Sequence, residues 1–221
     1  YAMQNSCYRI DLCDWARRAH LFRALVEPVL LYGVEVWGPA ISKNTWDKLE
    51  RVQKAFLTYS LGVKDTVPYP ILLYETGFWP LQHSAMSRHL AYFHKVSGMD
   101  AQRLPPQALL LAQGPQRLKR VWQEHCKGWF GRWSVDYQHI VAMPNAKTQN
   151  AHLNACYAAT LWDATTLAKL KIEHYRTQVN PTLEHGPHRY LKAHISMKKR
   201  RAIAAIRTGS HHLRIETGRW S

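Results

Sequence analysis

The chain has few acidic residues and few cysteines among its 221 residues. Fifteen Asp and Glu stand against thirty Lys and Arg, and neither an Asp-Asp pair nor an Asp-x-Asp motif occurs. Two-metal polymerases and nucleases need converging carboxylates to hold their cations, so the sequence disfavours an intact site of that kind. The four cysteines form no CxxC pair. We therefore expect reduced thiols in an intracellular protein, of the nucleus or the cytoplasm, rather than a disulfide framework.

Long apolar runs and phosphate-binding loops are also missing. The most apolar stretch, "LVEPVLLYGVEVW", contains two glutamates and a proline, which predicts no transmembrane helix and no membrane partner. No GxxxxGK or GxGxxG loop occurs. The N-terminus lacks the basic-then-apolar order of a signal peptide and begins without methionine, so we expect a fragment of a longer protein.

Thirteen histidines raise the alternative of a metal site. His152 and Cys156 stand four residues apart on a predicted helix, and three more histidines cluster near another helix start: His185, His188 and His194. A four-ligand zinc site needs spacings such as CxxC with HxxxH, and neither is present. These histidines are expected to be surface or core residues, with no metal and no cofactor.

Apolar residues recur at helical spacing along most of the chain, whereas strand patterns are weak, so the predicted fold is all-α. One or two buried helices, kinked or divided at Pro28, are predicted over 15–37, followed by helices over about 42–62 and 80–98. Residues 98–116 are typical of a linker, and further helices are predicted over 116–126, 148–178 and 190–207. The expected organisation is a thumb-like helical bundle over 1–97, a connector with Pro, Gly and Trp over 98–147, and a basic helical region over 148–221.

Positive charge gathers in the second half of the chain. Residues 1–110 hold twelve Lys and Arg against nine acids, and residues 111–221 hold eighteen against six, so the net charges are +3 and +12. This gradient favours a polyanionic partner, most simply the backbone of RNA or DNA. Seven cations fall within residues 198–219, and with a neighbouring histidine they are the predicted phosphate contacts: Lys198, Lys199, Arg200, Arg201, Arg207, His211, Arg214 and Arg219. The alternative is a solvated helix face followed by a fraying end.

The segment "KGWFGRW" at 127–133 combines glycines, aromatic residues and cations. Trp129 and Trp133 are candidates for stacking on exposed nucleobases. Burial in the core is the alternative, and the more common one for aromatic side chains.

Several stretches together resemble the region that follows the palm in reverse transcriptases of LINE-type (non-LTR) retrotransposons, of the plant and algal kind. The first two are "LFRALVEPVLLYGVEVWGP" and "LERVQKAFLTYSLGVKDTVPYPILLYETGFWPL". The later three are "KLKIEHYR", "RYLKAHISMKKRRAIAAIR" and "RTGSHHLRIETGRW". The resemblance runs nearly end to end and is weakest at 98–150.

The resemblance implies a thumb and connector region of a polyprotein, holding template RNA or the RNA–DNA product and docked on the rest of the polyprotein. Polymerase activity in that family depends on a Tyr/Phe-x-Asp-Asp motif, which this sequence lacks, so we expect a non-catalytic, nucleic-acid-binding piece of a larger protein. A Cys/His zinc knuckle usually follows the "GRW" element there. The alternative function is a protein-interaction module whose apolar segment 16–37 docks on the palm.

Overall fold

The computed structural model describes residues 14–113, 116–162 and 170–211, and in that part of the chain it is helical with no strand. The predicted all-α fold is thereby confirmed. The first α-helices are α1 (Trp15–Leu21), α2 (Glu27–Leu30), α3 (Val34–Trp37), α4 (Lys43–Leu61), α5 (Tyr69–Thr76) and α6 (Leu81–Ser97). The later ones are α7 (Leu104–Gln113), α8 (Gln116–Gly131), α9 (Tyr137–Val141), α10 (Ala146–Leu161), α11 (Leu170–His174), α12 (Arg189–Lys192) and α13 (Met197–Arg207). No helix of the described residues is both long and apolar enough to cross a membrane.

The first helical stretch is not divided at Pro28, which lies inside α2, because helical turns follow one another without a break from Trp15 to Leu30. A π-helical turn, Phe22–Val26, joins α1 to α2, and the N–H of Glu27 donates to the carbonyl of Phe22 five residues back. Proline has no N–H to donate, and Pro28 stands in the first turn of α2, directly after the π-helical turn. The prediction that this segment is buried is only partly correct. Phe22 is 1% exposed, whereas Leu25 and Val29 are 57% and 75% exposed.

The helix predicted over about 42–62 is α4, and its ends follow the expected capping. The Ser42 hydroxyl accepts a hydrogen bond from the N–H of Thr45 at 3.2 Å, which satisfies one amide of the first turn. Gly62 follows the helix with φ of +66°, a left-handed conformation that glycine adopts without strain. Phe56 is buried on the predicted apolar face, whereas Val52 is 42% exposed.

Two segments differ from the sequence prediction. Residues 104–113, expected to be a linker, form α7 with both prolines of "LPPQ" in its first turn. Prolines are tolerated there because the first turn has no intrahelical acceptor for their N–H groups. The single helix expected over 190–207 is two helices, α12 and α13. On α13, Ala204 is buried, whereas Ile206 is 59% exposed.

The described residues fall into two compact units that interleave along the chain. The first comprises the described residues of Tyr1–Leu30, Lys48–Pro80 and Trp162–Ser221, and the second comprises those of Leu31–Asp47 and Leu81–Leu161. The unit boundaries therefore differ from the predicted ones at 97 and 147. Helices that are distant in the sequence pack together within each unit, which a linear division of the sequence does not anticipate.

The core of the first unit is built around four aromatic side chains. The rings of Phe22 and Phe56 stack with centroids 4.4 Å apart, and Trp15 and Phe78 pack against them. The guanidinium of Arg23 lies 4.4 Å from the centroid of the Phe78 ring, a cation–π distance. These contacts join α1 and α4 to the segment after α5.

The core of the second unit contains a stacked pair of tryptophans. Trp46 and Trp129 are 0% and 1% exposed, and their ring centroids are 5.5 Å apart. Gly38 permits this packing, because a Cβ there would lie 2.9 Å from the Trp129 ring. Trp129 is therefore a core residue, which corrects the expectation that it stacks on a nucleobase.

Candidate nucleic-acid interface

The chain from His185 to Ile215 is basic and free of acidic residues. Between His185 and Ile215 the sequence contains eight Lys and Arg and no Asp or Glu. Five of these cations are exposed on α12 and the first turns of α13, and we call them the basic surface: Arg189, Lys192, Lys198, Lys199 and Arg201. Exposed cations that outnumber the acidic residues around them are suited to phosphate contacts.

Local contacts fix the orientation of α13, which positions the basic surface. The Ser196 hydroxyl caps the helix by accepting from the N–H of Lys199 at 3.4 Å. The Arg200 guanidinium donates to the carbonyl of Ala193, just after α12, at 3.1 Å. The stem of Arg201 lies over Gly62, where a Cβ would come within 2.6 Å of it. These contacts hold α12 and α13 together in the first unit.

Arg200 was predicted to contact phosphate, and its burial corrects that prediction. Arg200 is 7% exposed, and its guanidinium donates to the Ala193 carbonyl at the end of α12. It is therefore not available to a phosphate in solvent. Lys198, Lys199 and Arg201 remain exposed on the other sides of the same turn.

The prediction that Arg207 is freely available to phosphate is also corrected, because its guanidinium is bonded to Glu75. Its Nε lies 3.0 Å and its Nη2 2.8 Å from oxygens of the Glu75 carboxylate, and the Arg207 side chain is 24% exposed against 0% for Glu75. This bidentate geometry is the strongest form of an arginine–carboxylate pair. Its bonds to Glu75 more than offset the effect of burial, so the pKa of Arg207 is raised.

The Glu75 carboxylate is the centre of a buried polar network in the first unit. It accepts hydrogen bonds from the hydroxyls of Tyr175 at 2.7 Å and Tyr190 at 2.9 Å. Asn180 in turn donates to the Tyr175 hydroxyl at 3.4 Å. Burial, together with the adjacent carboxylate, raises the pKa of both tyrosines. A buried charge needs such a complete set of partners, and no local sequence motif marks Glu75 as its centre.

Two histidines pack beside this network. The His188 Nε2 lies 3.5 Å from the Glu75 carboxylate, and the His185 Nε2 lies 3.0 Å from the Phe78 carbonyl. Burial lowers the pKa of both histidines. For His188, the nearby Glu75 opposes this effect and Arg207 adds to it. Both imidazoles are therefore neutral near pH 7.

Stability is expected to fall as pH decreases from about 7 to 5. The unfolded chain binds protons at these histidines at its ordinary pKa of about 6.5, whereas the folded chain binds them only at lower pH. Their contribution is thus fully present above about pH 6.5 and is lost as pH falls through the folded pKa, by at most about 1.4 kcal/mol per pH unit per histidine. Urea unfolding at several pH values measures this. His188→Asn should flatten the pH dependence of the free energy of unfolding. A slope equal to that of the unchanged protein would contradict this expectation.

The other residues that the sequence predicted as nucleic-acid contacts differ in their exposure. Trp133 is half-buried, stacks on Tyr157 with ring centroids 3.9 Å apart, and donates its Nε1–H to Gln82 at 3.3 Å, so one face of its ring is covered within the second unit. His211 is half-buried at the end of the described segment. Arg214 and Arg219 lie outside the described residues. Arg189 and Lys192 were not among the predicted phosphate contacts. The signal that could have identified them is the lack of acidic residues between His185 and Ile215.

Cys126 and His89 are in contact in the core of the second unit, but their pKa values are shifted away from those of a nucleophilic pair. The Sγ lies 4.0 Å from the His89 Nε2, which also faces the Tyr137 hydroxyl at 3.2 Å. Burial raises the pKa of Cys126 to about 12 and lowers that of His89. A reactive cysteine requires a lowered thiol pKa in a cationic environment. The contact therefore fits a structural role in the core.

The paired residues His152 and Cys156 lie side by side on α10, with 3.6 Å between Nε2 and Sγ. Within residues 14–113, 116–162 and 170–211, no group of three or more His, Cys, Asp or Glu is placed to hold a metal ion. Comparisons of the chain with protein-family models, with curated proteins and with solved structures found no match. The assignment of function therefore depends on the residues themselves.

Proposed function

We propose that the chain is a non-catalytic, nucleic-acid-binding helical region that holds a strand through its phosphates. The observation that carries the proposal is the basic surface, in which five exposed cations lie on two helices joined by the Arg200–Ala193 hydrogen bond. Phosphate contacts of this kind supply affinity without reading sequence. The chain's net charge of +15 adds long-range attraction for a polyanion.

The resemblance to non-LTR retrotransposon reverse transcriptases gives this binding a biological setting. In that setting the chain is the thumb and connector region of an intracellular polyprotein, and the bound strand is template RNA or the RNA–DNA product. Polymerisation then belongs to a palm elsewhere in the polyprotein, because this sequence contains no Asp-Asp motif.

The salt dependence of RNA binding tests the proposal. If the five exposed cations neutralise five phosphates, the logarithm of the association constant should fall against the logarithm of salt concentration with a slope of about −3.5 for a single strand and about −4.5 for a duplex. Fluorescence anisotropy with a labelled oligouridylate, at about 50 to 200 mM salt, measures the slope. Binding that does not change with salt, or no binding at about 50 mM salt, would refute the proposal.

A second candidate function is docking on a protein partner. It is favoured by large apolar side chains left in solvent: Leu25 and Val29 in the first unit and Tyr32 and Val36 in the second are 57%, 75%, 85% and 61% exposed. Exposed apolar surface of this kind marks protein contacts. Light scattering that shows concentration-dependent oligomers, in a chain without affinity for RNA, would support this function over the first.

A further inference from the structure

A cleft of about 610 Å³ opens beside the Glu75 network within the first unit. One wall is the loop and helix from Glu184 to Lys192, and the other is formed by Ile203 and Arg207 of α13. Ile203 and Arg207 are one helical turn apart, and Lys199 of the basic surface lies one further turn towards the start of α13. The cleft thus shares Arg189 and Lys192 with the basic surface, and Lys199 lies on the same face of α13 as Ile203 and Arg207.

The cleft lining has a positive balance. Arg189, Lys192 and Arg207 contribute three cations, against the carboxylate of Glu184 and that of Glu75, which pairs with Arg207, so one positive charge remains. Arg189 and Lys192 are exposed, whereas Arg207 is partly buried. Such an arrangement attracts an anion. It combines the flexible side chains of Arg189 and Lys192 with the fixed guanidinium of Arg207.

Arg207 is held in place before any ligand arrives. Its Nε and Nη2 are bonded to Glu75, whereas Nη1 takes no part in those bonds. The side chain is therefore oriented by a partner at the closed side of the cleft, and little freedom remains to be lost on binding. Preorganisation of a donor lowers the ordering cost of binding.

The rest of the lining suits a ligand larger than a phosphate ion. Pro187, Ile203 and the ring of Tyr190 add apolar surface, and His188 adds a neutral imidazole. A volume of about 610 Å³ lies in the range of clefts that take small organic molecules. A phosphate joined to a sugar and a base satisfies both the charge and the size.

We propose that this cleft binds one phosphorylated nucleotide unit, with its phosphate on Arg189, Lys192 and Arg207 and its sugar and base against Pro187, Tyr190 and Ile203. The inference rests on the proposed function in that the unit belongs to a bound strand; a free mononucleotide has the same chemistry. The site would set the position of the strand, which the rest of the basic surface then follows.

The test compares uridine monophosphate with uridine by isothermal titration calorimetry on the 221-residue chain. The monophosphate should bind at least about tenfold more tightly, since charge-assisted hydrogen bonds to phosphate are absent for the nucleoside. The double change Arg189→Gln and Lys192→Gln should remove most of this difference. The matched control, Lys198→Gln with Lys199→Gln, removes the same charge outside the cleft lining and should preserve it.

Two outcomes would overturn the proposal: equal affinity for the two probes, or equal loss in the two double variants. Neither outcome contradicts the proposed function, because binding of oligouridylate is measured in a separate experiment through its salt dependence. Oligouridylates with and without a terminal phosphate identify the source. Tighter binding of the phosphorylated strand, lost in the Arg189/Lys192 variant, identifies a strand end. Equal binding of both strands identifies an internal nucleotide if that variant weakens both, and a free nucleotide if that variant loses only the monophosphate.

Discussion

Replacement of Lys198, Lys199 and Arg201 together by glutamine is expected to weaken binding of single-stranded RNA by about a hundredfold at about 0.1 M salt. The three side chains are exposed on the first turns of α13, so their neutralisation leaves the core intact. Each lost phosphate contact removes about 0.7 from the salt slope, and three contacts remove about 2. Fluorescence anisotropy with labelled oligouridylate at several salt concentrations measures both the affinity and the slope.

A matched variant separates the basic surface from the overall charge of the chain. Lys48, Arg51 and Lys64 are also exposed in the first unit, and their replacement by glutamine removes the same three charges. We expect this control to weaken binding by about threefold or less, through the long-range field alone. Equal weakening by the two triple variants would show that binding follows net charge rather than the basic surface.

Arg207→Met is expected to lower the free energy of unfolding by about 3 to 5 kcal/mol. The change removes the guanidinium but keeps an unbranched side chain, and it leaves the Glu75 carboxylate, which is 0% exposed, without its cationic partner. The hydroxyls of Tyr175 and Tyr190 remain bonded to Glu75 but cannot neutralise it. A thermal melt followed by circular dichroism should show a fall in Tm of about 10 °C.

The double variant Arg207→Met with Glu75→Gln is the internal control for this pair. Neutralising Glu75 removes the uncompensated charge, so the double variant should lose clearly less stability than the sum of the two single variants. The difference is the coupling energy of the pair. Additive losses would mean that the charges of Glu75 and Arg207 do not interact in the folded protein, contrary to the geometry described above.

The sequence predicts the helical class and several helix bounds because these depend on local signals. The periodic apolar face and the caps at Ser42 and Gly62 place α4 nearly to the residue. Proline is the signal that misleads at 104–113, because the two prolines of "LPPQ" are as typical of a linker as of a first helical turn.

The candidate site is only partly predictable, because exposure depends on partners distant in the sequence. Lys199 and Arg200 are adjacent and chemically similar, yet one is exposed and the other is 7% exposed. Arg207 and Glu75 are 132 residues apart in the sequence, and no local sequence pattern predicts their contact. Trp129 illustrates the same limit, since its neighbours in "KGWFGRW" favour stacking on bases while its packing against Trp46 removes it from solvent.

The interleaving of the two units has a consequence for biosynthesis. The first unit needs side chains from before Pro80 and from after Trp162, including Glu75 and its arginine partner. At about 5 to 20 residues per second, a ribosome takes roughly 4 to 16 s to translate the segment between these two positions. During that interval Glu75 has been synthesised without Arg207, so the first unit cannot complete its buried ion pair until α13 emerges from the ribosome.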